Sequence, residues 1–229
     1  ARRCGCAEPP QGPDAALTRE ELEVCASNQL ALHAVDTIID EPGKKYNPLF
    51  VYGPPGVGKT HLLNALGNEL VAQSGGAFTV AVVNASQFID ELIAALQEEQ
   101  IEKWRARYRV VDALILDDVD KCAGKERSQE ELFHIFNSLS YNGRQIVFAS
   151  VHAPKAIEGL EERLRSRFEG GLVVEIQPPD HALREKVYAR YWCDVDDRLD
   201  RTHVDFIPRA PAQRIAELLG SGARRMKGS

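Results

Sequence analysis

A glycine-rich segment carries the clearest chemistry in the sequence. It follows an apolar run that ends at Tyr52 and is made of Gly53, Pro54, Pro55, Gly56, Val57, Gly58, Lys59 and Thr60. Glycines at this spacing let backbone N–H groups turn toward phosphate oxygens, and a helix that starts near Lys59 directs its positive end at the same anion. The pattern predicts that Lys59 binds the β- and γ-phosphates of ATP and that Thr60 binds Mg²⁺.

Two consecutive carboxylates, Asp117 and Asp118, follow the apolar run Leu114-Ile115-Leu116. They stand at the end of a predicted strand, one strand–helix pair after the glycine-rich segment. Carboxylates in this place can hold Mg²⁺ and orient the water that attacks a γ-phosphate. We assign Asp117 to the metal and Asp118 to the water, and the reverse assignment fits the sequence as well.

Three arginines, Arg163, Arg165 and Arg167, follow Glu161-Glu162. Arg163 and Arg167 are four residues apart, so they share one face of a helix. Such guanidinium groups could stabilise the charge that develops on a γ-phosphate during hydrolysis. Composition alone favours another interpretation, a solvated face on which the arginines pair with the neighbouring glutamates.

Strands and helices alternate around these residues. Short apolar or β-branched runs predict strands at 49–52, 78–83, 113–116, 145–150 and 172–176. Apolar stripes predict helices after Ser27-Asn28, through 62–70, through 88–96 and from a capping box at 128–131, with another after 180. This order predicts an α/β fold with a parallel sheet that helices cover on both faces.

Composition excludes several classes of protein. The chain has 229 residues, a net charge of −6 and 44% hydrophobic residues, which is ordinary for a globular protein. No apolar run reaches the roughly 18–20 residues that a membrane helix needs. The mild acidity argues against a protein whose main role is to coat DNA. Five scattered cysteines do not form a disulfide framework and indicate a cytoplasmic protein with reduced thiols.

Long strings of the sequence resemble the ATPase domain of the bacterial replication initiator family DnaA. These strings are KYNPLF at 45–50, GKTHLL at 58–63, AGKERSQEE at 123–131, GLEERLRSRF at 159–168 and QPP at 177–179. The resemblance covers residues 18–192. It implies the AAA+ P-loop NTPase fold, with a five-stranded parallel sheet between helices followed by a small α-helical lid. We therefore divide the chain into a flexible lead-in at 1–16, a nucleotide-binding core at 17–179 and an incomplete lid at 180–229.

The resemblance also implies roles for residues outside the glycine-rich segment. Arg167 matches an arginine finger that reaches the γ-phosphate held by the neighbouring subunit, and Arg163 matches a second arginine between subunits. Arg224 resembles a lid arginine that touches the nucleotide. Val24 and Asn28 fall in a segment that lines the adenine pocket, and His61 directly follows the phosphate loop.

A third set of residues matches positions that line a channel for single-stranded DNA in the family, namely Ile93, Lys125 and Arg127. The other interpretation is an ordinary surface or core role. The family assembles ATP-bound subunits on origin DNA and helps to open the duplex, so the implied partners are further copies of the chain, origin DNA, and a replicative helicase or regulators. We expect slow ATP hydrolysis that acts as a switch.

Two departures from the family bear most directly on function. Relatives carry an acidic residue after the fourth strand, where this chain has Val151 after Ser150. Either hydrolysis is slow or Ser150 substitutes for the acid. The basic domain that reads duplex origin sites is absent from the sequence, so we expect a fragment of an initiator or a related regulator or helicase loader. A nucleotide-binding interaction module without turnover is the third interpretation.

Overall fold

The expected parallel sheet is confirmed. The computed structural model describes residues 8–22, 24 and 27–178. Its five strands are β1 (Leu49–Tyr52), β2 (Val80–Asn84), β3 (Ala113–Asp117), β4 (Gln145–Ser150) and β5 (Leu172–Glu175). They lie in the order β2-β3-β4-β1-β5, and every neighbouring pair is parallel. All carboxyl ends of the strands therefore meet at one edge of the sheet, the carboxyl edge.

Helices cover both faces of this sheet. They are α1 (Gln29–Asp40), α2 (Lys59–Gln73), α3 (Ala85–Gln97), α4 (Ile101–Arg109), α5 (Glu126–Tyr141) and α6 (Glu162–Glu169), with short 3₁₀ turns at Val119–Cys122 and Pro154–Ala156. In β1, Leu49 and Val51 pack with α1 and α2, whereas Phe50 packs with the helices of the opposite face. This alternation follows from the two-residue period of a strand and creates one apolar core on each side of the sheet.

Helix α4 was not predicted from the sequence. Most of its residues are charged or polar, but Trp104 and Tyr108, four residues apart, are buried. Their rings lie 5.1 and 5.4 Å from the ring of Phe88 on α3. Two aromatic residues at helical spacing were the only available signal, and the surrounding charges hid it.

The predicted capping box is wrong. Helix α5 starts at Glu126, so Ser128 and Glu131 lie inside its first turns and are buried. Glu131 faces α4 instead of the helix start, and it accepts hydrogen bonds from Arg105 Nε at 2.7 Å and Nη2 at 2.6 Å. A glutamate that neutralises an arginine on another helix resembles a cap in sequence, because both need an acid near the helix start.

The lead-in contacts the core over its described part. Gln11 accepts a hydrogen bond from the backbone N–H of Val82 on the edge strand β2, at 2.8 Å. Asn68 on α2 donates to the carbonyls of Asp14 at 2.8 Å and Leu17 at 3.0 Å. Residues 11–17 are therefore held by the sheet edge and by α2. From the sequence, residues 1–16 were expected to be flexible, and these contacts were not foreseen.

Some predictions fall outside the described residues. These are the lid at 180–229 with Arg224, and the helix expected after 180. Among the five cysteines, the described part contains Cys122, which is buried and free, and burial raises the pKa of its thiol to about 12. No helix in the described ranges has the length and apolar character to cross a membrane.

Candidate functional site

The predicted phosphate loop and both acids meet at the carboxyl edge of the sheet. The loop leaves β1 at Gly53, and Asp117 ends β3. Two further polar residues, Asn84 and Ser150, end β2 and β4 at the same edge. In open parallel sheets, ligands bind outside the carboxyl ends of the strands, so this edge is the candidate site.

Glycine is required at the start of the loop. Gly53 has φ of 158°, and a Cβ atom there would lie 2.2 Å from the carbonyl oxygen of Ile176, which follows β5. At the other end, Gly58 has φ of 96° and precedes the first residue of α2. The loop therefore passes close to the backbone after β5 and then turns sharply, so that α2 begins at Lys59.

The loop surrounds the lysine that was predicted to bind phosphate. Lys59 is buried, and its Nζ donates to the carbonyl oxygens of Gly53 at 2.7 Å and Pro54 at 3.0 Å. The ammonium group thus lies inside the loop, next to the N-terminus of α2. A polyphosphate in the loop would meet this charge together with the positive end of the helix.

Thr60 and Asp117 form the candidate magnesium site. Thr60 Oγ1 donates to Asp117 Oδ2 at 2.6 Å, which brings a hydroxyl and a carboxylate oxygen together. Burial raises the pKa of Asp117 above its usual range, so a nearby cation would stabilise the ionised form. Mg²⁺ prefers oxygen ligands and uses few from the protein, so these two residues fit it.

Asp118 lies in a different environment from its neighbour. Its backbone is left-handed, with φ of 55°. Oδ2 accepts hydrogen bonds from Asn84 Nδ2 at 3.0 Å and Lys121 Nζ at 2.9 Å. Burial raises the pKa of Asp118, but the hydrogen bonds from Lys121 and Asn84 outweigh it and hold the pKa below its usual range. The carboxylate is therefore ionised at neutral pH, as a group that orients water must be.

Sequence reasoning missed two residues at this edge. Asn84 donates to Asp118, and its only signal was a polar residue at the end of a strand. Asp120 accepts a hydrogen bond from Ser150 Oγ at 2.9 Å and from the backbone N–H of Val151 at 3.3 Å. An acidic group is thus present beside the end of β4, although it comes from the 3₁₀ turn after β3.

Val24 and Asn28 were predicted near the adenine base, and His61 directly follows the phosphate loop. The structure gives these residues different surroundings. The Ser27 carbonyl accepts from Gln177 N at 3.4 Å, which places the start of α1 beside the residues after β5 that the loop approaches. Asn28 there is half-buried, and Val24 is 62% exposed. His61 Nε2 contacts the carbonyl oxygen of Thr18 at 2.8 Å, so its ring faces the N-terminal segment.

The arginine face consists of Arg163 and Arg167 on α6 together with Phe133 on α5. The guanidinium carbons of Arg163 and Arg167 lie 5.0 and 5.8 Å from the centre of the Phe133 ring. Arg165 points elsewhere and donates to the carbonyl of Leu160 at 3.1 Å. The expected shared face of Arg163 and Arg167 is confirmed, and both side chains are exposed.

The predicted DNA-contacting residues lie on the outside of the molecule. Ile93 on α3 is 48% exposed, which is unusual for a large apolar side chain, and Lys125 and Arg127 are exposed at the start of α5. Arg127 pairs with Glu130 at 2.5 Å and with the buried Glu131 at 2.8 Å. Helix α3 packs against the 3₁₀ turn Val119–Cys122, which ends shortly before Lys125, so the three residues belong to neighbouring elements.

Comparisons with known proteins agree on one family. A family model described as the bacterial DnaA ATPase domain matches residues 14–175. The chromosomal replication initiator protein DnaA of Thermomicrobium roseum is 41% identical over 213 residues, which is 93% of this chain and 46% of that protein. The chain therefore spans less than half the length of this curated relative.

Solved structures give the same result. Domain III of the replication initiation protein DnaA from Thermotoga maritima superposes with a TM-score of 0.83 and 34% identity, over 95% of this chain and 87% of that one. A replication initiator DnaA bound to AMPPCP and single-stranded DNA gives a TM-score of 0.81 at 34% identity, over 95% and 64% of the two chains.

Proposed function

This chain belongs to the bacterial DnaA ATPase domain family, and we propose that it is the ATP-dependent switch of a replication initiator, which assembles with further copies on DNA when ATP is bound. The observation that carries the proposal is the contact between Thr60 and Asp117 at 2.6 Å. It joins the phosphate loop to the acidic end of β3, which is the arrangement that a Mg²⁺–ATP site requires.

We assign the nucleotide contacts as follows. The loop 53–58 directs backbone N–H groups at the phosphates, and Lys59 binds the β- and γ-phosphates. Thr60 and Asp117 hold Mg²⁺, which neutralises charge on the phosphate oxygens when bound. We assign Asn28 and Val24 to the cover of the base; the support is that Ser27, next to Asn28, contacts Gln177 after β5.

Hydrolysis needs a water placed in line with the γ-phosphorus. The water oxygen forms a bond to phosphorus while the bond from phosphorus to the β–γ bridging oxygen breaks, and ADP leaves with that electron pair. Asp118, kept ionised by Lys121 and Asn84, orients the water and takes its proton, which then passes to solvent. The products are ADP and phosphate.

Assembly depends on the arginine face in this proposal. Helix α6 leads from the carboxyl edge back to the start of β5, because Gly171 lies against the carbonyl of Pro48 just before β1. Arg167, near the end of α6, therefore lies toward the edge of the sheet opposite the chain's own phosphate loop. We assign Arg167 and Arg163 to the γ-phosphate in a neighbouring copy, so that ATP stabilises the assembly and ADP does not.

DNA is the second proposed partner. The exposed apolar Ile93 could pack against a base or sugar, and Lys125 and Arg127 could bind backbone phosphates. A similar structure described as bound to AMPPCP and single-stranded DNA supports this assignment. Origin DNA, a replicative helicase or regulators as partners, and a cytoplasmic location, are part of the same proposal.

A nucleotide-binding module without turnover is the second candidate function. Val151 favours it, because an apolar side chain stands where relatives carry an acid. It predicts ATP binding and assembly with no release of phosphate. The 41% identity to an initiator over 93% of the chain favours the initiator over a regulator or helicase loader.

Sedimentation tests the proposal. The purified chain is centrifuged with single-stranded DNA in ATP and in ADP, beside Lys59→Ala. We expect large complexes with ATP only, and none with Lys59→Ala, which should bind ATP at least 100-fold more weakly. The matched control is Lys45→Ala, since Lys45 pairs with Glu41 at 3.1 Å, far from the loop. Unchanged ATP affinity in Lys59→Ala, or equal complexes in ADP, would contradict the proposed switch.

A further inference from the structure

The end of β4 lacks an acidic side chain, and Ser150 cannot replace it. Ser150 is fully buried. Its single hydroxyl proton is donated to Asp120, and its oxygen accepts a hydrogen bond from the backbone N–H of His152 at 3.1 Å. A hydroxyl has one proton to give, so Ser150 has none left for a phosphate oxygen.

Asp120 has spare capacity in the same place. Its Oδ1 accepts both the Ser150 hydroxyl and the Val151 N–H, and the described residues provide no hydrogen-bond partner for its Oδ2. A carboxylate oxygen without a protein partner, on a half-buried side chain, is available to bind water.

The position of this carboxylate follows from the sheet order. Strand β4 lies between β3, which ends in Asp117, and β1, which leads into the phosphate loop. The Ser150 carbonyl accepts from the N–H of Gly53, the first loop residue, at 3.3 Å. Asp120 is therefore connected through Ser150 to the loop, and it lies in the turn that follows the acidic end of β3.

We propose that Asp120 supplies the acid that Val151 lacks, and that its Oδ2 positions a water at the γ-phosphate. The inference rests on the proposed function, because it assigns a residue to the same ATP site. Asp118 remains the group that takes the proton. Asp120 accepts a hydrogen bond from the second hydrogen of the water and thereby orients it. In this chain the acid would come from the turn after β3 instead of from the end of β4.

The other role for Asp120 is a structural brace for the end of β4. Asparagine separates the two roles, since its side-chain oxygen can still accept from Ser150 Oγ and Val151 N while the negative charge is lost. If Asp120 were only a brace, Asp120→Asn would behave like the wild-type chain. A double variant that returns the acid to the end of β4, Asp120→Asn with Val151→Asp, provides the rescue.

The experiment measures turnover and nucleotide binding in four chains: wild type, Asp120→Asn, the double variant, and Asp40→Asn as a control. Asp40 is exposed at the end of α1, and the turn after it contacts Gln145 at the start of β4, at the opposite edge of the sheet. We expect Asp120→Asn to lower the rate at saturating ATP by about 10- to 100-fold. KM, ATP affinity and melting temperature should change little, and the double variant should regain most of the rate.

A binding measurement complements the rates. MgADP with aluminium fluoride mimics the geometry of water attack. A chain that positions water should therefore bind MgADP–aluminium fluoride more tightly than it binds MgADP alone. We expect the ratio of these two affinities to fall at least tenfold in Asp120→Asn and to recover in the double variant. Wild-type values in Asp120→Asn would overturn the inference and leave the proposed function standing. A wild-type chain that does not bind ATP would overturn the proposed function, and the inference with it.

Discussion

The carboxyl edge of the sheet and the arginine face differ in what holds their charged groups. At the edge, each charge contacts another element: Lys59 contacts the loop, Thr60 contacts Asp117, and Asn84 contacts Asp118. On the arginine face, Arg163 pairs at 2.5 Å with Glu161, two residues before it, and packs on Phe133.

This difference fits the proposed function, in which one chain completes the carboxyl edge alone and the arginine face acts on a neighbouring copy. The edge is assembled by the fold, because residues distant in sequence meet at buried contacts. Arg163 and Arg167 pack on the Phe133 and Phe136 rings of α5, but the ion pair of this face, Arg163 with Glu161, is local and partly exposed, and such a pair contributes about 0–1 kcal/mol. A γ-phosphate offered by a neighbouring copy can therefore replace that ion pair at little cost.

The largest expected effect separates these two regions directly. Arg167→Ala should lower ATP turnover by about 10³-fold or more, because an arginine finger stabilises charge in the transition state. ATP affinity of the single chain should stay within about threefold, since the loop and the acids remain. Turnover by phosphate release and affinity by fluorescent nucleotide titration measure the two quantities.

Arg165→Ala is the matched control on the same helix. Arg165 donates to the Leu160 carbonyl and pairs with Glu162, so its loss should affect stability more than turnover. If Arg165→Ala slowed turnover as much as Arg167→Ala, or if Arg167→Ala weakened ATP binding in the single chain, the division into two regions would be wrong.

The next prediction concerns the phosphate loop at the carboxyl edge. Gly53→Ala should weaken ATP binding by about 100-fold or more and lower the melting temperature, because the new Cβ would meet the Ile176 carbonyl at 2.2 Å. The control is Gly75→Ala, where φ is also positive, at 62°, but nothing lies within 4 Å. That variant should cost about 1 kcal/mol of stability and leave ATP affinity unchanged. Equal ATP affinities would show that the loop tolerates displacement.

The smallest effect concerns the buried acid behind Arg127. Burial raises the pKa of Glu131, but the hydrogen bonds and charge of Arg105 outweigh it and hold the pKa below its usual range. Such a group stabilises the fold above the ordinary glutamate pKa of about 4.3, and the contribution is lost as pH falls through the lowered pKa. Glu131→Gln should therefore lower the free energy of unfolding at pH 7 by about 1–3 kcal/mol.

Urea unfolding at several pH values measures this effect. The difference between Glu131→Gln and the wild-type chain should shrink below about pH 4. Glu130→Gln, which removes a half-buried partner of Arg127, should change stability by less than about 0.5 kcal/mol. A difference between Glu131→Gln and wild type that stays constant down to pH 3 would contradict the assignment.

The contiguous parts of the site were predictable from the sequence, and the contacts between elements were not. The loop and Lys59 lie in one uninterrupted pattern, and Asp117 ends an apolar run, so spacing alone located them. The hydrogen bond from Ser150 to Asp120, by contrast, forms because the turn after β3 approaches the end of β4. No sequence period encodes that approach.

The two errors in the predicted elements, within a fold that was predicted correctly, have the same cause. The strands were located because buried strands form short apolar runs bounded by glycine or acidic residues. Helix α4 was missed because two aromatic residues carry all of its burial, and the capping box was misassigned because Glu131 serves an arginine on another helix. In each case the deciding partner lies on a different element.

The helix that starts at the phosphate loop also holds the N-terminal segment. His61, Asn64 and Asn68 lie along one side of α2 and contact Thr18, Asp14 and Leu17. These bonds join residues 14–18 to α2 without an intervening loop. Any displacement of α2 along its axis would therefore be transmitted to residues 14–18 through these hydrogen bonds.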